Sequence, residues 1–144
     1  MTAFPQSPVV VPEPAEPPAQ TRPPRPWRHK FGDAFRGLKL GIRGHSSFFV
    51  HFFFSALVVA GAIVLSCNLI EWCLLLGCIG AVLTAELFNS AIETLFRGLD
   101  DETKKRTWPS LDIAAGAVLL ASIAATIVGS LVFLNRLGVF GRPV

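Results

Sequence analysis

Three long apolar runs, at residues 48–67, 69–96 and 112–134, constrain this chain more than any other feature of it. A helix needs about 20 residues to cross the hydrocarbon core of a bilayer, and a helix satisfies its own backbone hydrogen bonds where no water is available. With 51% hydrophobic and 16% charged residues in a chain of 144, there is more apolar surface than a water-soluble core of this size would cover. The expected fold is all-α: a single integral membrane bundle of three transmembrane helices.

The residues ahead of the first run have two characters. Residues 1–26 hold nine of the eleven prolines and little that is large and apolar, so a disordered or polyproline-like tail is expected. Prolines also interrupt any stretch that could serve as a signal peptide. From 27 to 44, Trp27, Phe31, Phe35, Leu38 and Ile42 recur at helical spacing, with Arg28, Lys30, Arg36, Lys39 and Arg43 between them. That pattern predicts a basic amphipathic helix lying on the membrane surface.

The thirteen Lys and Arg residues give a net charge of +3, but they cluster between the apolar runs instead of forming a basic face, which argues against nucleic acid as a partner. Seven precede the first run, none lies between the first and second, and four lie between the second and third. By the excess of basic residues in cytoplasmic loops, the N-terminus and the 97–111 loop belong on the cytoplasmic side. Cys67, Cys73 and Cys78 have no partnering histidine spacing and read as small apolar residues, not as a metal site or a disulfide framework. Ala117, Ala121, Ala125 and Gly129 recur four apart, a spacing that lets helices pack closely within one chain or between chains.

Chemistry concentrates in the second run. Glu86, Asn89, Ser90 and Glu93 fall at i, i+3, i+4 and i+7, so one helical face carries two carboxylates, an amide and a hydroxyl. An ionisable group in a span costs about 2.5–3.5 kcal/mol on insertion scales, and two on one face call for a partner, water or a function. A protonated Glu86 bonded to a neighbouring helix is the structural alternative. Asp112 stands after Pro109 and Ser110 and reads either as an N-terminal acid of the third helix or as part of the same site as Glu93. His51 reads as a polar helix contact, with no carboxylate near it in sequence. No Gly-rich P-loop with its Lys occurs.

The Glu86-Leu87-Phe88-Asn89-Ser90-Ala91-Ile92-Glu93 segment resembles the second-helix motif of the prokaryotic diacylglycerol kinase and undecaprenol kinase family. The likeness continues to Asp112 and the run Ile113 to Leu120, and back to Phe31-x-x-Ala34-x-x-Gly37 and Phe48-x-x-His51, covering about residues 28–134. It implies a homotrimer in the bacterial inner membrane that moves the γ-phosphoryl group of ATP to a membrane lipid alcohol, with Mg²⁺. It further implies Glu86 as the catalytic base, Glu93 as the metal ligand, and Asn89, Ser90 and Asp112 on the nucleotide side. His45 stands where the family has a second metal-binding Glu, and reads as a substitute ligand, a surface histidine or a mark of lost activity. Arg97 replaces a family Asp, and Leu111 a family Lys that would help bind phosphate, a loss that Arg97 or Lys104 could offset. A catalytically silent scaffold, a lipid phosphatase on the same fold and an ion conduit remain as alternatives.

Overall fold

Apolar runs of this length dictate helices, and the caps decide where they start. The computed structural model describes residues 26–44 and 47–141. They form α1 (Trp27–Gly44), α2 (Ser47–Val64), α3 (Leu69–Arg97) and α4 (Asp101–Arg136). The proline-rich tail to residue 25 and His45 lie outside the described residues. Helices α2, α3 and α4 are each long and apolar enough to cross a membrane.

Helix α3 opens on a reciprocal cap. The Asn68 side chain accepts from the Glu71 backbone N–H at 3.0 Å, and the Glu71 carboxylate accepts from the Asn68 N–H at 2.7 Å, so two otherwise unpaired amides are satisfied together. Ser66, at φ 52°, turns the chain back between α2 and α3.

Helix α4 corrects one expectation. The segment expected as a 97–111 loop is helical from Asp101 onward, leaving only Gly98, Leu99 and Asp100 between α3 and α4. Asp100 caps the new start, its carboxylate accepting from the Glu102 and Thr103 N–H groups and from the Thr103 hydroxyl. The Thr103 hydroxyl, then its backbone N–H, holds the Asp100 carboxyl below the usual carboxylate range. Lys104 pairs with Asp101 and Arg106 with Glu102 one turn apart, which supports a helix made of charged residues. Pro109 lies inside this helix, and the Phe96 and Trp108 rings meet edge to face at 5.6 Å just before it. Asp112 is therefore an interior residue of α4, and the N-terminal acid is Asp100.

Helices α3 and α4 pack side by side along their length, and α2 and α1 lie against α3. A small core forms toward the far end of the bundle from Ala62, Leu75 and Val132, with Val58, Trp72 and Phe133 against it. Gly129, one of the small residues four apart, faces the Leu75 side chain, and Gly61 abuts the Phe133 ring. Leu75→Ala empties part of this core. The expected cost is about 2 kcal/mol, the low end for such a truncation, because lipid removes most of the transfer contribution. Reversible unfolding in mixed detergent micelles checks it.

Much of the remaining apolar surface is open: Phe53 and Leu57 on α2, and Leu119, Leu120 and Ile127 on α4, are all more than half exposed. Exposed apolar surface on this scale belongs against lipid or another subunit. Trp27, Phe31 and Phe35 of α1 are likewise exposed, as a helix lying on a membrane requires. Near its C-terminal end α1 touches α3 where Gly41 leaves room for the Leu87 side chain, which a Cβ would meet at 2.7 Å.

Candidate functional site

Helix α3 carries the polar stripe, with Glu86 against the start of α2 and Asn89 beside a cavity shared with α4. Glu86 is 3% exposed. The Ser47 hydroxyl donates to Glu86 Oε1, and His51 Nε2 lies 3.7 Å from Glu86 Oε2. Both partners come from the first turns of α2, whose N-terminal end carries the partial positive charge of its aligned peptides. A buried carboxylate, a hydroxyl, an imidazole and a helix N-terminus thus meet at one place.

About 10 Å further along α3, at 1.5 Å per residue, Glu93 stands more open, with 35% of its side chain exposed. The Asn89 amide donates to Glu93 Oε1 at 3.0 Å and the Arg97 guanidinium to Oε2 at 3.2 Å. Ser90 is 1% exposed. Its hydroxyl finds no hydrogen-bond partner among the described residues, an arrangement that asks for an explanation. Asp112 is exposed on α4, and among the described residues no hydrogen bond or ion pair joins it to Glu86. Its neighbours Ser110, Ile113 and Ala114 do line a cavity of about 620 Å³ shared with Asn89, Phe88 and Ile92. A second cavity, of about 480 Å³, lies deeper between α2, α3 and α4, with His51 in its wall.

Two features of the structure, one of them at the site, were not expected from sequence. His51, read as a contact remote from any carboxylate, is beside Glu86. Sequence spacing carries no signal of this contact; in the structure Phe48 is 1% exposed, and a residue three positions on shares its inward face. The other feature is the pair of Glu71 and Arg136, joined at 2.7 Å across 65 residues of sequence at the end of the bundle away from Glu86. No spacing announces such a pair.

The donor set can be tested against Mg²⁺. Among the described residues no group of three or more His, Cys, Asp or Glu side chains could hold a metal ion. Glu93 and Asn89 offer hard oxygen donors at an accessible edge. Mg²⁺ is commonly held by one or two carboxylates, with substrate phosphates and water completing its shell. The residues therefore fit an ion that arrives with nucleotide phosphates, and do not fit an all-protein cage.

Comparison with known proteins adds a second line of observation. The family model for prokaryotic diacylglycerol kinase matches residues 32–133. The undecaprenol kinase of Bacillus subtilis (strain 168) is 30% identical over 107 residues, covering 74% of this chain and 87% of that protein. No solved structure matches the chain.

Proposed function

The chain belongs to the prokaryotic diacylglycerol kinase family of lipid kinases, and from that premise we propose that it transfers the γ-phosphoryl group of ATP to the hydroxyl of a membrane lipid alcohol, diacylglycerol or undecaprenol. The observation that carries this reading is Glu86, a carboxylate 3% exposed against the start of α2, on the same helical face as the more open Glu93.

Phosphoryl transfer asks a protein mainly for positioning and charge neutralisation. In the proposed reaction, Glu86 takes the proton of the lipid hydroxyl as the oxygen bonds to the γ-phosphorus. The bond from that phosphorus to the β,γ-bridging oxygen breaks, and its electron pair leaves with ADP. Glu93, with the Asn89 amide oxygen, would hold Mg²⁺, which when bound neutralises phosphate charge. Ser90 and Asp112 would bound the nucleotide side. Arg97, beside Glu93, or Lys104 would supply the cationic charge that Leu111 does not. The basic residues of α1 and of the start of α4 support a reading in which this edge faces the cytoplasm from a bacterial inner membrane. The open apolar faces of α2 and α4 suit assembly as a homotrimer.

The test is transfer of labelled γ-phosphate from ATP to diacylglycerol and to undecaprenol in mixed micelles, with and without Mg²⁺. The expected result is Mg²⁺-dependent phosphorylation of at least one lipid. Absence of transfer to both, from protein shown to be folded, would favour a silent scaffold.

A further inference from the structure

We infer that His51, together with Ser47, is the positioning residue that holds the Glu86 carboxylate for its work, an inference that rests on the reading of Glu86 as the base. The argument begins with the environment. A carboxylate on a membrane helix has little water to order it, and rotation about its last torsion is soft. Left alone, it would turn freely between acceptor and helix. Two groups from α2 prevent this. Ser47 donates to Oε1, so that oxygen is occupied. Oε2 is left facing His51 Nε2 at 3.7 Å.

That distance exceeds a direct hydrogen bond, which runs about 2.7–3.2 Å for N–H to O. Catalytic contacts are often long before substrate arrives and tighten in the reacting complex. A closure of about half an ångström turns the imidazole N–H onto the carboxylate. His51 has no competing anion on its cavity side: the residues lining that cavity include Ser55, Cys78, Ser122, Thr126 and Ser130, and none carries a charge. Among the described residues, its charged partner is therefore Glu86. Helix packing fixes the imidazole as well, because Phe48, on the same face of α2, is 1% exposed and anchors the start of the helix.

The consequence is a division of labour across the interface of α2 and α3. Helix α3 brings the base, and α2, with one donor for each oxygen, fixes the orientation in which the carboxylate meets the lipid hydroxyl. His51 acts through Glu86 and does not itself touch a reacting atom.

The test has an activity arm and a spectroscopic arm. In the transfer assay, His51→Ala is expected to lower kcat by about tenfold or more, a fraction of what a general base supplies, while KM for ATP stays within twofold. His51→Gln, which retains a side-chain N–H, is expected to recover most of kcat. A merely structural histidine would instead reduce the yield of folded protein and leave kcat per folded molecule unchanged. In the second arm, ¹⁵N spectra of histidine-labelled protein in micelles are compared for the native chain and Glu86→Gln, the His51 signal being identified by its loss in His51→Gln. A shift of the His51 Nε2 resonance on Glu86→Gln supports the contact. Native-like kcat in His51→Ala overturns the inference. So does an unmoved resonance, and this second arm decides the matter even where native protein transfers no phosphate and the kinase reading itself has failed.

Discussion

Glu86→Gln is expected to lower phosphate transfer to lipid by about a thousandfold, within the range of 10²–10⁴ that a positioned general base supplies. The substitution suits the question because glutamine matches glutamate in size, and its amide oxygen still accepts from Ser47, so the contact between α2 and α3 survives. What disappears is the capacity to take a proton. The loss should fall on kcat, with KM for ATP little changed, since in the proposed reaction the nucleotide would meet Glu93, about 10 Å away along α3. Glu93→Gln should behave differently, raising the Mg²⁺ concentration needed for half-maximal rate and releasing Arg97 and Asn89 from their carboxylate. Initial rates of labelled lipid formation across ATP and Mg²⁺ concentrations separate the two. A drop of less than tenfold in Glu86→Gln would remove Glu86 from the role of base.

The parts of this architecture legible in sequence were those set by local composition. Three apolar runs at span length could become little else, and the i, i+3, i+4, i+7 spacing of Glu86, Asn89, Ser90 and Glu93 needed only helical periodicity. The start of α4 was misread because Pro109 and a charged stretch look like a loop; the Asp100 cap and the Glu102 to Arg106 pair overrule that appearance. Asp112 followed the same error, passing from a supposed helix start to an interior position. The His51 to Glu86 contact depends on how α2 lies against α3, a tertiary fact that sequence spacing does not carry, although the burial of Phe48 marks the face. The Glu71 to Arg136 pair is less legible still, because its partners come from the first turn of α3 and the last turn of α4.

That pair should dominate stability in an uneven way. Glu71 is 8% exposed and lies about 22 Å along α3 from Glu86, so it ties the far end of the bundle without touching the site. Its Oε2 receives the Arg136 guanidinium at 2.6 Å and also the Asn68 N–H. Removing one member of a poorly solvated ion pair leaves the other charge uncompensated, whereas removing both leaves none. Arg136→Met should therefore lower the thermal unfolding midpoint by about 5 °C or more. Glu71→Gln combined with Arg136→Met should recover at least half of that loss, because glutamine can still close the cap on Asn68. Thermal scans of the native chain, both single variants and the double variant in one detergent complete the cycle. Strictly additive losses would mean that the two side chains do not stabilise the bundle through each other.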